Sequence, residues 1–327
     1  MDINFKEQTT DMDRVALFGF NKFLQEYDLL ASYKIDEGQN KPTILGAKEF
    51  KCRFCGKSKP ETTFRNRAHA LPEFIGNSSL LSHYECDNCN SRFGRELESQ
   101  FANFMQLNHT MFAVKGKSGF PKFKLTNGTS IISDGKLVDW DGIPNDQLSY
   151  DSDTQTLVAT QKVPSFIPVA VYKALVKMAL TIMPHSELKT FSETMDWLNA
   201  PIDNNEFELQ PLWVLYCSLN SNDRFPHIGA SLLKRKILKD FEVAPILFRL
   251  NYANFQFDLP FPLFYDGKMI PLKQMPYLPN LFDLRDGYGT LDMRFIDFSY
   301  ASVISNHSMT FTLIDQDNTG TFETMTI

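Results

Sequence analysis

The sequence predicts an α+β protein in which a small cysteine-bearing module precedes a larger mixed α+β domain. Three observations carry that reading. Four cysteines stand as two Cys-x-x-Cys pairs, Cys52/Cys55 and Cys86/Cys89, with thirty residues between the pairs. An apolar stripe at helical spacing follows the second pair directly. Beyond residue 165, one long apolar helical run gives way to a series of alternating runs of strand length.

Taken in order, Val15, Phe18, Leu24 and Leu29 recur at helical spacing between Asp11 and Ser32, with Asp11 or Asp13 placed to cap them, so residues 1–46 read as an N-terminal helical segment. The polar stretch 37–42 is a connection, and residues 47–115 form the cysteine module. Its helix is expected to begin near Cys89, because Phe93, Leu97, Phe101 and Phe104 line one face. Residues 116–327 form an α+β accessory domain for recognition, regulation or dimerisation. Within it, Gly116 to Lys162 suggests small strands and turns. Pro168 to Met183 reads as a buried helix opened by its proline, and a second helix is expected from Ser186 to Leu198. Strands are expected at 212–218, 246–250, 255–259, 295–298 and 309–314. The stretches 259–264 and 275–279 are proline-punctuated loops or sheet edges.

Two thiolate pairs at this separation can converge on one tetrahedral Zn²⁺, each pair forming a short knuckle and the intervening segment closing the loop. The plain alternative is four unrelated buried thiols in a reducing compartment. Cys217 sits in the apolar run Leu212-Trp213-Val214-Leu215-Tyr216 and reads as a small core residue. The acidic, polar start and the lack of any eighteen-residue apolar stretch point to a cytoplasmic protein with no membrane span. At 43% hydrophobic residues the chain of 327 can build a sizeable core, and its net charge of −6 argues against coating nucleic acid through bulk electrostatics. Between Ala47 and Met105, however, nine Lys/Arg face seven Asp/Glu, a modest local excess that random surface scatter would also give.

Between the cysteine pairs stands Arg67-Ala68-His69-Ala70-Leu71-Pro72-Glu73, then Gly76-Asn77, and the second pair runs into Asn90 in Cys86-Asp87-Asn88-Cys89-Asn90. With these residues the segment from Lys51 to Glu98 resembles the zinc-stabilised branch of the HNH, or ββα-metal, endonucleases. The resemblance implies that Cys52, Cys55, Cys86 and Cys89 hold a structural zinc. It also implies that His69 is the general base of phosphodiester hydrolysis and that Asn90 is a ligand of a separate catalytic Mg²⁺ or Mn²⁺. A neutral imidazole takes a proton from water near neutral pH, and a hard ion held by an amide oxygen stabilises developing charge on a phosphate.

The acidic or histidine residue that usually precedes the base is absent, because Ala68 stands there. Arg67-Ala68-His69 resembles the Arg-Gly-His of non-specific members, which bind the ion mainly through one helical asparagine; Arg67 would then steady a phosphate. Glu73 could assist the ion or serve as a helix-start carboxylate, and Glu98, about 80° round a plain α-helix from Asn90, could reach it through a water. For the middle residue that braces the loop, His83 is the first reading and Asn77 the second. Lys51, Arg53, Lys57, Arg92 and Arg95 are candidates for contacts to the nucleic-acid backbone. Lys173 and Lys177, one turn apart on the apolar helix, read as lysines snorkelling from a core edge.

The chain is accordingly expected to be a metal-dependent endonuclease acting on nucleic acid, DNA in preference to RNA, homodimeric if it cuts both strands. Fold-level analogy extends this to a restriction or anti-phage defence effector. The competing reading is a non-catalytic zinc module that binds DNA or a protein partner, with His69 only bracing the knuckles.

Overall fold

The computed structural model describes residues 21, 23–36, 39, 41–124, 130–132, 136–137, 148–154, 156–204, 206–220, 224–236, 243–272, 290–315 and 322–326. The part of the expected N-terminal helix over 11–20 and the proline-rich stretch 275–279 lie outside these residues. Where the N-terminal segment is described, helix covers 23–26 and then gives way to strand β1 (Tyr27–Asp36), so the helical reading fails over 27–32. The reason is non-local: β1 pairs antiparallel with β11 (His227–Arg235), Ile35 opposite Ile228, and that ladder outweighs the local spacing.

The module comes next. Strand β2 (Thr43–Leu45) runs parallel to β4 (Leu80–Ser82), which pairs antiparallel with the two-residue β3 (Ala68–His69). Helix α1 (Asp87–Phe93) starts on the second cysteine pair, passes through one π-helical turn (Gly94–Glu98) and continues as α2 (Ser99–Met111). Cys89, Phe93, Leu97, Phe101 and Met105 are all buried along this rod. A wide π turn takes up one residue more than an α turn, which keeps Leu97 in line with Phe93 and Phe101.

Short strands succeed the helix: β5 (Phe123–Lys124), β6 (Ser130–Ile132) and β7 (Lys136–Leu137) form one small sheet. Strands β8 (Leu148–Asp151) and β9 (Thr156–Lys162) join the later β17 (Ser308–Asp315) and β18 (Phe322–Thr326) in another, ordered β18-β17-β9-β8. Helix α3 (Pro168–Ile182) opens on its proline, and every residue in it is buried, including both lysines. After α4 (His185–Leu188), α5 (Ser192–Asn199) completes the second helical region near its expected position.

The largest sheet is six-stranded and antiparallel throughout, ordered β1-β11-β12-β13-β10-β16, with β10 (Trp213–Asn220), β12 (Ile246–Tyr252), β13 (Phe255–Pro260) and β16 (Thr290–Asp297). Its two central strands are buried on both faces. One face carries Phe248, Leu250, Tyr252, Phe257 and Leu259 into the main core; the other carries Arg249 and Asp258, opposite each other in register and paired through two bonds of 2.5 and 3.0 Å. Cys217 is buried, as its apolar neighbours imply.

One continuous apolar core runs from Cys52, Phe54, Cys86 and Phe93 through α3 to Phe257 and Phe298, so the module and the large sheet share it. Phe101 sits at the junction, 0% exposed, edge-on to Phe74 and to Phe257 at 5.4 Å each. Phe101→Ala therefore removes contacts on both sides; we expect a loss of about 3–5 kcal/mol, read as a lower denaturation midpoint with zinc content unchanged.

Candidate metal centre and candidate active site

The metal centre is built by two tight turns. In the first, Gly56 N–H donates to the Cys52 carbonyl at 2.9 Å and Cys52 N–H to the Lys57 carbonyl at 2.8 Å, turning Cys52 and Cys55 to one side. In the second, Cys86 is the extended residue that caps α1, and Cys89 lies in the helix's first turn. The four sulfurs lie within 4.8 Å of one another, and Cys55 Sγ is 3.8 Å from Cys86 Sγ. A tetrahedron of sulfurs about 2.3 Å from a Zn²⁺ has edges of about 3.8 Å, so the set fits one zinc ion. The Cys89 thiol and the N–H groups of Cys55, Cys86 and Phe54 bond to the Cys52 sulfur and bring its pKa down to about 4 against the opposing effect of burial, while Cys89 is pushed up as the partner that keeps the proton. Such a pair favours a bound cation over a shared proton.

The same turns position the second group of residues. β3 carries Ala68 inward, and His69 on the opposite face is 23% exposed at its side chain. His69 Nε2 lies 3.7 Å from Glu73 Oε1, and the other Glu73 oxygen accepts from Lys117 Nζ at 3.1 Å. Glu73 opens a single 3₁₀ turn, Glu73–Ile75, closed by Gly76 at φ +98°, a left-handed conformation that favours glycine. The His69 carbonyl accepts from Lys177 Nζ at 3.3 Å. Burial holds the His69 imidazole below its ordinary value; Glu73 and Glu98 act to raise it, Lys117 and Lys177 to lower it.

Asn77 is the residue that braces the loop between β3 and β4. It is buried; its amide donates to the carbonyls of Leu71 at 2.6 Å and Leu80 at 3.0 Å, and its oxygen accepts from the N–H groups of Ser79 and Leu80. His83 makes one contact of 3.3 Å from Nδ1 to the Gly46 carbonyl and lines a hollow of about 180 Å³ with Lys48, Phe50, Arg65 and Arg67. The order of the two readings for the brace is thus reversed. The Gly-Asn after a short turn was the available signal, since a buried asparagine suits four backbone partners.

Arg67 is exposed at the rim of that hollow, and Arg65 and Asn66 donate their backbone N–H groups to the Asp87 carboxylate at the start of α1. Burial acts to raise the Asp87 pKa, but bonds from Thr63, Arg65 and Asn66 hold it below its ordinary value. Asn90 is half-buried one position beyond Cys89, its N–H bonded to the Cys86 carbonyl at 2.9 Å. Ala68, with its methyl in the core, brings no oxygen to the site. Among the described residues, the four cysteines are the only group of three or more His, Cys, Asp or Glu side chains that converge as metal ligands.

Two cations assigned to nucleic-acid backbone are spent inside the protein. Arg53 Nη1 donates to the carbonyls of Leu180, Thr181 and Met183 at 2.6, 3.0 and 2.9 Å, satisfying the C-terminal end of α3. Arg92 bonds the carbonyl and side chain of Asn199, whose amide donates to the Phe54 carbonyl. Lys177 does not snorkel: it is 1% exposed, 3.1 Å from Glu85 and 3.0 Å from Glu98, and Lys173 donates to the Ala200 carbonyl at 2.9 Å. Glu98 faces α3 through this pair. A cavity of about 440 Å³ opens beside Glu73, lined also by Lys115, Lys117, Arg224 and Phe225.

Residues 52–106 match the model of the family described as HNH endonuclease. No curated protein and no solved structure matches the chain. The cysteine-tied segment is an HNH module, set ahead of a larger sheet-rich domain.

Elemental analysis should find one zinc per chain. Cys89→Ser should release it and loosen α1, since structural zinc contributes on the order of 10 kcal/mol, whereas Cys217→Ala should retain it. Asn77→Ala should remove the side-chain partner of the Leu71 carbonyl and of the Ser79 and Leu80 N–H groups and lower stability by about 2–4 kcal/mol, measured by denaturant unfolding.

Proposed function

We propose that this chain is a metal-dependent endonuclease that hydrolyses phosphodiester bonds in nucleic acid, DNA in preference to RNA. The observation that carries the reading is His69, held half-exposed at the end of β3 inside a cysteine-tied module that matches the HNH endonuclease family. In this reading His69 is the general base. Its pKa lies below the ordinary histidine value, so it is neutral at pH 7 and free to accept a proton from the attacking water. Glu73, itself held by Lys117, stands beside Nε2 and stabilises the imidazolium as it forms. Arg67, exposed at the rim of the basic hollow, steadies a phosphate through its guanidinium fork. Asn90 would hold the catalytic Mg²⁺ or Mn²⁺, which when bound supplies positive charge to the scissile phosphate and its leaving oxygen. Cutting both strands would take two such sites, as a homodimer supplies, or sequential nicks by one.

Ala68 favours one competing reading, a zinc module that binds nucleic acid or protein without cutting. Calorimetry separates the two: the nuclease reading requires a second divalent site that Asn90→Ala abolishes while zinc stays bound.

Zinc-loaded protein should nick supercoiled plasmid in Mg²⁺ or Mn²⁺, with His69→Ala reduced by about a hundred- to ten-thousandfold, the range for a general base. Because the folded state disfavours the imidazolium, the base is lost only as pH falls through its depressed pKa. The acidic limb of the rate profile should therefore lie below about 6.5, the ordinary histidine value. Equal cutting by wild type and His69→Ala would sink this assignment.

A further inference from the structure

The buried ion cluster around Lys177 is, as such, weak evidence of a stabilising role. Its ammonium is 1% exposed, and the Glu85 side chain it meets is 0% exposed. Taking the Lys177 cation and the Glu85 carboxylate out of water is unfavourable, and apolar replacements of similar volume commonly match or exceed such pairs in stability. Three acceptor groups surround the Lys177 ammonium: it donates to Glu98 at 3.0 Å and to the main-chain carbonyl of His69 at 3.3 Å, and it forms an ion pair with Glu85 at 3.1 Å. Those acceptors come from three places in the module: the segment leading into the second knuckle, the π-helical turn and the end of β3. The donor comes from α3, outside the family-matched segment. The π turn itself is part of the arrangement, since its extra residue turns Glu98 toward α3 while Leu97 keeps its place in the core.

We propose that Lys177 is a positioning residue for His69: its buried ammonium ties the end of β3 to the π turn of the long helix, and so sets where the imidazole stands relative to α1. The proposal rests on the reading of His69 as the base. It makes α3 of the larger domain part of the nuclease site, although Lys177 touches neither substrate nor metal. β3 has only two residues and one antiparallel neighbour, so its own ladder holds His69 weakly. A displacement of about 1 Å at a reacting group can cost a hundredfold in rate.

The test compares full-length wild type with Lys177→Met, which keeps the length and removes the charge, and with Glu98→Gln, whose partly exposed site tolerates the change. Zinc content and thermal unfolding serve as controls. Plasmid cleavage in Mg²⁺ is resolved into kcat and KM, and the His69 ring resonances, identified by their loss in His69→Gln, are followed by NMR in histidine-labelled protein. The proposal expects zinc-loaded Lys177→Met to lose about ten- to a hundredfold in kcat with KM within about twofold, and the His69 ring resonances to shift. Glu98→Gln should move both readouts in the same sense by less, and it decides the matter if Lys177→Met does not fold. Unchanged kcat and unmoved resonances in a folded variant, even with a lower melting temperature, would overturn it. A wild-type chain that never cuts would remove the nuclease reading instead, and the resonances would then decide the positioning on their own.

Discussion

The convergence of four sulfurs is the constraint on which the rest of the module depends. A module with strands of two or three residues cannot hold its shape through ladders alone, and here the metal-binding thiols take that role. Cys86 is both a ligand and the residue that caps α1, so tying it to Cys52 and Cys55 fixes where the helix begins. Thiolate charge at that end is favoured by the helix dipole. Once the start of α1 is fixed, the position of Asn90 one turn along is fixed with it. Asp87 in the same turn draws in the backbone of Arg65 and Asn66, next to Arg67 and two residues short of β3. The four sulfurs, the helix start and the strand bearing His69 thus form one connected piece of geometry.

That piece is not self-sufficient. Its first knuckle sends Arg53 into the open end of α3, its helix sends Arg92 to Asn199, and Asn199 answers by bonding the knuckle carbonyl of Phe54. Phe101 carries the apolar core across the same boundary. Cations that a count of charge would assign to a nucleic-acid surface are used to dock the module. Lys48, Arg65 and Arg67 stay exposed and line the hollow beside β3. A local positive surface of that kind is compatible with a chain whose net charge is −6, because contacts to a few phosphates are a local matter.

The features legible in the sequence were those set by local spacing. The cysteine pairs, the stripe from Phe93 to Phe101 and the all-apolar run opened by Pro168 each specify their structure within a few residues, and each is found close to where spacing places it. The features that were not legible depend on partners far along the chain. β1 has a helix-like spacing of leucines and becomes a strand because β11 lies beside it, two hundred residues on. β11 itself was missed although Ile228, Ala230 and Leu232 alternate with Gly229 and Ser231, an alternation too rich in small residues to stand out. Lys177 reads as a lysine at a core edge until Glu85 and Glu98, on other elements, are brought to it; burial of a charge is decided by its partners, which spacing along one helix does not show.

The charges around His69 act in opposite directions, and burial is the largest influence on its protonation. Glu73 and Glu98 favour the imidazolium, while Lys117 and Lys177 oppose it, and each carboxylate is itself paired with one of those ammoniums. The unfavourable transfer of a charged imidazole into a partly dry site is the largest effect, and it acts downward. With His69 as the proposed base, the compensation would have a chemical use. A carboxylate alone beside His69 would raise its pKa toward that of a group protonated at neutral pH, whereas a carboxylate already held by a lysine can steady the imidazolium once it forms without creating it beforehand. Lys117 does this for Glu73 from the segment after α2, and Lys177 does it for Glu98 from α3. Both ammoniums stand outside residues 52–106, so the chemical state of the histidine depends on the chain around the module as much as on the module itself.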